Sequence, residues 1–174
     1  CSDNQSIFMT WEWLASWWEV YGQDHKLWWL LVRNEQGKLI GSAPLYLRRY
    51  RNGFMLPHRE IRFIGTGAPV SSEHLGILTD PEKSAEVLAA IAKYLTDRQK
   101  NWDVLLLTDL TSRNENPLGN ATFTFAHLLA DQNITVQIED QFPQAPYIPL
   151  PETWEYYFKS LGKWLRRTIA RQRN

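Results

Sequence analysis

The spacing of apolar and polar positions along this 174-residue chain changes period several times, and each change predicts an element. Between Thr10 and Gly22, the residues Trp11, Leu14, Ala15, Trp18 and Tyr21 recur at helical spacing. A helix is expected there, with threonine at its start and Gly22 at its end. Leu27 to Arg33 is a short continuous apolar run bounded by charge, the pattern of a buried strand. Asn34 to Lys38, with Gly37, reads as a hairpin turn, and Leu39 to Leu47 as the partner strand, with Pro44 at a bulge or an edge. Arg48 to Arg59 reads as a basic loop. Glu60 to Gly65 and Leu75 to Leu78 follow as strands.

The clearest helix is expected from Pro81 to Lys100. Asp80 and Pro81 mark its start, and Val87, Leu88, Ile91, Ala92 and Leu95 form one face. Trp102 to Leu107 then reads as a buried central strand, as in an α/β unit. Ser112 to Gly119 is expected as a loop, Thr122 to Gln132 as a helix and Ile134 to Glu139 as a half-exposed strand. Four prolines between 143 and 151 impose an extended segment, after which Thr153 to Leu161 begins a helix that the following basic run continues.

Composition sets the class. Hydrophobic residues make up 44% of the chain and aromatics 13%, which marks a folded globular chain of one ordinary domain. The net charge of zero excludes a domain-wide basic footprint for DNA. That zero is polarised: six basic residues and no acidic ones fall in 159–174, which leaves 13 basic against 19 acidic before them. No apolar run approaches the roughly 18 residues of a membrane span. Cys1, the single cysteine, admits no intrachain disulfide. A chain that opens on cysteine reads either as a processed lipoprotein or as a segment of a longer protein, and the segment is the preferred reading. The basic helix, which reaches Asn174 without a glycine or proline stop, points the same way.

Several stretches, taken in order, resemble one family. They are Phe8-Met9-Thr10-Trp11-Glu12-Trp13-Leu14 with Trp17-Trp18, Leu39-Ile40-Gly41 leading to Ala43-Pro44-Leu45-Tyr46, and Ile64-Gly65. Ser71-Ser72-Glu73-His74-Leu75-Gly76, Pro146-Tyr147-Ile148-Pro149-Leu150-Pro151, and Ser160-Leu161-Gly162-Lys163 running to Arg171 complete the set. Together they resemble the N-terminal half of tandem GNAT-like acetyltransferases associated with cellulose and exopolysaccharide synthesis, relatives of the Fem-type aminoacyl transferases. One departure is Ser72-Glu73-His74, where that family more usually has a Ser-Asp-Tyr type sequence.

The resemblance implies an α/β, GNAT-like fold with a mixed, largely antiparallel sheet flanked by helices. Residues 1–158 would form the N-terminal unit, and 159–174 a basic helix leading into a second GNAT-like unit of the same polypeptide. It implies a cytoplasmic N-acyltransferase acting on a sugar or amine acceptor. Acetyl-CoA is expected mainly in that second unit. Ser72, Glu73, His74 and Tyr147 are the candidate acceptor-groove residues. Two alternatives remain open: half of an aminoacyl-tRNA-dependent peptidoglycan peptidyltransferase, and a non-enzymatic glycan-binding module.

Individual motifs carry less. Arg62-Phe63-Ile64-Gly65-Thr66-Gly67 matches the acyl-CoA loop pattern literally, but Ala68-Pro69-Val70 and a strand follow instead of a helix. The match therefore reads as a turn. His74 next to Glu73 suggests a general base, yet adjacent strand residues face opposite sides and cannot pair, so His74 fits an acceptor groove better. His25, His58, His74 and His127 show no metal-ligand spacing, and no serine lies in a nucleophile-elbow context. Trp11, Trp13, Trp17, Trp18, Trp28 and Trp29 read as core, with at most two or three of them exposed for sugar stacking. Lys163, Arg167 and Arg171 recur at i, i+4, i+8 and share a helix face with Arg166 nearby; a solvated or partner-facing surface is preferred there over a phosphate or RNA contact.

Overall fold

The computed structural model describes residues 6–51, 56–67, 70, 72–110, 117–139 and 148–172. It divides into two compact units, residues 1–137 and 138–174.

Helix α1 spans Trp11–Tyr21. The Thr10 side chain accepts from the Trp13 backbone N–H, and Gly22 closes the other end, as the apolar spacing predicts. The next apolar run is not one strand. It divides into β1 (Lys26–Leu27) and β2 (Leu30–Arg33), and the returning run divides at Pro44 into β3 (Leu39–Ala43) and β4 (Leu45–Tyr50). β2 pairs with β3 and β1 with β4, all antiparallel, but the two halves of this hairpin belong to different sheets. Proline offers no N–H to a ladder, so the break falls at Pro44 and across from it at Trp28–Trp29. One bond spans the break, from the Trp28 backbone N–H to the Leu45 carbonyl at 3.0 Å.

The expected basic loop is in large part strand. β4 continues through Arg48 and Arg49 to Tyr50, and β5 (His58–Phe63) returns beside it in antiparallel register, with Arg48 opposite Glu60 and Tyr50 opposite His58. Cross-strand pairing of a base with an acid lets a basic sequence lie in a sheet. β6 is only Leu78–Thr79, paired with β3, while Leu75 makes an isolated parallel bridge to Leu110. β7 (Val104–Leu105) runs parallel to β5. It is the last strand of its sheet and not the buried central strand expected, with Val104 and Leu106 exposed. The two sheets read β1-β4-β5-β7 and β2-β3-β6. This is a mixed α/β architecture of antiparallel and parallel strands flanked by helices.

Helix α2 (Ser84–Thr96) follows a 3-10 turn at Pro81–Lys83, capped by the Asp80 side chain, and a second 3-10 turn at Gln99–Asn101 succeeds it. The expected 20-residue helix is thus one α-helix between two tighter turns. Its face of Val87, Leu88, Ile91, Ala92 and Leu95 is fully buried, packed toward β2, β3 and β6, in one core cluster with Ile40, Ala43, Leu45, Ile61 and Phe63 from both sheets. α3 (Pro117–Asp131) begins earlier than the periodicity suggests and adds Ala121, Phe125 and Leu129 to the same core. A separate cluster of Leu14, Trp17, Tyr46 and Ile64 seats α1. Residues 134–139 form no strand; Ile134 and Val136 instead rest against the core.

In the second unit, α4 (Trp154–Ser160) is capped by Thr153, and α5 (Lys163–Gln172) is a separate helix after a break at Leu161–Gly162. No helix among the described residues is long and apolar enough to cross a membrane.

β3 and α2 approach closely at Gly41, where an added β-carbon would clash with a Val87 methyl. Gly41→Ala is expected to cost about 1–3 kcal/mol in urea unfolding. In a Val87→Ala background the same change should cost clearly less, since the clashing methyl is gone. Equal costs in both backgrounds would show that the approach is not what limits this position.

Candidate functional site

Two places bear on chemistry: the loop after β5, which holds the residues singled out in the sequence, and the face of β4 and β5 opposite the α2 core.

Ser72 is fully buried. Its Oγ accepts a 2.8 Å hydrogen bond from the Trp13 indole Nε1–H, and its backbone N–H donates to the Gly65 carbonyl at 3.1 Å. Its role in the structure is to pin the loop to α1. Glu73 is exposed, and its carbonyl accepts from the Ser6 hydroxyl at 3.3 Å. His74 is exposed in a left-handed conformation (φ 58°), so the two residues sit in a loop and not on a strand. Tyr147 lies outside the described residues. Lys163, Arg166, Arg167 and Arg171 all lie on α5, where none makes an ion pair among the described residues.

The loop of Arg62 to Gly67 is not equipped to cradle a pyrophosphate. The Ile64 N–H is given to the Pro44 carbonyl at 2.8 Å and the Thr66 N–H to the Phe63 carbonyl at 3.3 Å, and α2 begins only at Ser84. Such a cradle needs free N–H groups with a helix N-terminus behind them. Among the described residues no three His, Cys, Asp or Glu side chains gather as a metal site. Of the six tryptophans between 11 and 29, Trp17 is buried and only Trp11 is exposed, at 68%, lying against Trp29.

The second place escapes the sequence reading. Because alternate strand residues share a face, the β4–β5 register gathers Arg48, Tyr50, His58, Glu60 and Arg62 on one side. Glu60 is buried, at 4% exposure, and sits at the centre. One carboxylate oxygen accepts from Arg48 Nε at 2.9 Å and Nη2 at 2.8 Å, and the other is 2.8 Å from His58 Nε2. The Arg48 guanidinium lies 4.5 Å over the Tyr50 ring, which meets the His58 ring edge-on. Burial opposes the charge on Glu60, but the hydrogen bonds from Arg48 and His58 outweigh it and hold its pKa below the ordinary value. The hydrogen bond to Glu60, aided by the Leu56 carbonyl, raises His58 above its ordinary 6.5. Beside this cluster Arg59 clamps Asp103 through three contacts of 2.7–3.0 Å, which bring the Asp103 pKa down to about 2. Arg62 reaches Thr108 only weakly, at 3.4 Å, and its Nε is buried without a partner.

A histidine whose Nε2–H is held by a buried carboxylate is a group that can take up and release a proton near neutral pH. With Nε2–H given to Glu60, the proton is gained and lost at Nδ1, which stands 3.4 Å from the Leu56 carbonyl. The signal in the sequence was the two-residue alternation of Arg48 and Tyr50 and of His58, Glu60 and Arg62, hidden by the basic run around it. Comparison of the chain with protein-family models, with curated proteins and with solved structures finds no match.

Replacing Trp13 by Phe leaves the buried Ser72 hydroxyl without its donor, and about 1–3 kcal/mol of stability is expected to be lost. Adding Ser72→Ala should cost little more, because both partners are then gone; a full second loss in denaturant titrations would contradict the pinning role. For His58, the proton NMR midpoint is expected above 6.5 and should move down in Glu60→Gln. Because folding raises this pKa, the His58 contribution to stability is complete below 6.5 and is lost as pH rises through the folded value. The Glu60 contribution has the opposite sense: it is present above 4.5 and lost as pH falls through the lowered value. A His58 midpoint indifferent to Glu60→Gln would refute the dyad.

Proposed function

We propose that this chain is the N-terminal half of a GNAT-type N-acyltransferase that moves an acyl group from acyl-CoA to a sugar or amine acceptor in envelope or exopolysaccharide synthesis. The observation that carries the reading is a mixed α/β architecture in which helices flank largely antiparallel strands: four antiparallel pairings and one parallel pairing, spread over two sheets, among the described residues. That architecture is what the ordered resemblance of the sequence implies. Fold alone does not fix a chemistry, so the site must supply the rest.

The spent N–H groups of Ile64 and Thr66 support assigning the acyl donor to a second GNAT-like unit of the same polypeptide and the acceptor to this one. Glu73 and His74, exposed on a loop anchored by Ser72, are the acceptor contacts of this unit. In the transfer, the acceptor's amine or hydroxyl bonds to the thioester carbonyl carbon, the C–S bond breaks, and the acceptor's proton goes to a base. His58, held by Glu60, is the group in this half whose geometry suits that role.

The test is thiol release from acetyl-CoA with a panel of amino sugars and amines, run on the whole gene product. Acceptor-dependent release is expected, reduced about 100-fold or more in His58→Gln, with a raised acceptor KM in Glu73→Ala and His74→Ala. The absence of release with every acceptor would end this reading. RNA binding that weakens steeply with salt would then put the aminoacyl-tRNA-dependent reading in its place.

A further inference from the structure

The break in the hairpin leaves a cleft on the side of the sheet that carries α2. It has a volume of about 530 Å³, inside the range of small-molecule sites, and opens between β1, the Trp28–Trp29 break and the C-terminal end of α2. Its walls are Trp28, Trp29, Tyr94 and leucines of β1, β2 and β4; its polar groups are Lys26, Arg98 and Asn101. Trp28 packs toward the α2 core and forms the aromatic wall of the cleft together with Tyr94, whereas the Trp29 indole turns to the other side, donating to Ser42 at 2.7 Å and lying against Trp11.

We propose that this cleft binds a small molecule that joins a planar aromatic ring to an anionic group, a phosphate or a carboxylate. Trp28 and Tyr94 supply aromatic surface on this side of the sheet. The charge is one-sided, with two cations and no acidic side chain in the lining. Neither Lys26 nor Arg98 makes an ion pair among the described residues, and the nearest acid in sequence, Asp97, is held by Lys93 at 2.9 Å. Arg98 is also pre-positioned. Its guanidinium lies 3.8 Å over the Tyr94 ring, a contact that uses the face of its plane and not the N–H groups at its edge. Asn101, at the rim, adds an amide that can donate to or accept from a ring substituent. The proposal does not depend on the acyltransferase reading: the cleft and the His58–Glu60 pair use opposite faces of the sheet.

The test titrates the full chain with AMP and with indole-3-acetate, each beside its neutral counterpart, adenosine or indole-3-acetamide, followed by calorimetry and by the indole N–H resonances of Trp28 and Trp29. At least one anionic probe is expected to bind with a Kd below about 1 mM, about tenfold tighter than its neutral counterpart. Which of the two binds identifies the anion as phosphate or carboxylate. Lys26→Gln and Arg98→Gln should each weaken it about tenfold. Both side chains are exposed, so the thermal midpoint should not move, and Arg49→Gln, outside the cleft, should change neither quantity. The proposal is overturned if neither anion binds at about 5 mM, if the neutral molecules bind equally well, if both Gln variants bind like the parent, or if the perturbed indole resonance is not that of Trp28.

Discussion

The structure of the first unit turns on the inability of Pro44 to donate a hydrogen bond. A hairpin of uninterrupted strands from Lys26 to Tyr50 would form one ladder. At Pro44 the ladder loses a donor, the chain changes sheet, and the partner run does the same at Trp28–Trp29. Two short sheets result, which must be held together by something other than the backbone. A shared core does this: the apolar face of α2, which packs on β2, β3 and β6, lies in one cluster with Ile40 and Ala43 of that sheet and Leu45, Ile61 and Phe63 of the other. The approach is close enough that Gly41 has no room for a side chain beside Val87. The same parting leaves the cleft beyond the last turn of α2, where Leu95 is buried but Tyr94 and Arg98 face open space.

Several indoles of this fold have a specific acceptor. That of Trp13 meets Ser72 and that of Trp29 meets Ser42 at 2.7 Å, while the Trp102 indole donates to the Leu95 carbonyl at the end of α2. These bonds let three large aromatics pack without orphaned N–H groups, whereas the buried Trp17 indole has none. The charged counterpart is Glu60, whose desolvation is offset only because Arg48 and His58 occupy both of its oxygens. Arg59 and Asp103 tie the start of β5 to the start of β7 through side chains and backbone together: the Arg59 N–H donates to the Asp103 carboxylate and the Asp103 N–H to the Arg59 carbonyl. A two-residue parallel strand at the edge of a sheet gains its position from such anchors more than from its ladder.

The sequence announced helices better than strands, for a physical reason. α1 and α2 carry their own start signals in Thr10 and Asp80-Pro81, and their apolar periods are decided locally. Strands depend on partners that the sequence does not name. Arg48 to Arg59 reads as a solvated loop until Glu60 is known to face Arg48, and 134–139 alternates like a strand but finds no ladder beside it. Trp102 to Leu107 is apolar enough for a central strand, yet only Val104 and Leu105 pair, and they lie at the edge. Of the site, Ser72 was legible as a residue that matters, but its partner Trp13 lies 59 positions away and turns it from a ligand contact into an anchor. His58 and Glu60 were hidden because their significance lies in cross-strand register, which composition does not carry.

That register also separates the aromatic cleft from the His58–Glu60 pair. On β4, Leu47 lines the cleft while Arg48, one residue on, holds Glu60 on the other face. Successive strand residues point to opposite sides, so the chemistry of the cleft, aromatic and cationic, and that of the dyad, a proton shared between a histidine and a carboxylate, are divided by a single peptide unit. A ligand in one cannot touch the side chains of the other. Communication between them would have to pass through β4 itself, whose freedom to shift is limited at one end by the change of sheet at Pro44 and along its length by six paired residues of β5. The strand is therefore a rigid partition, and occupancy of the cleft is expected to leave the protonation of His58 unchanged.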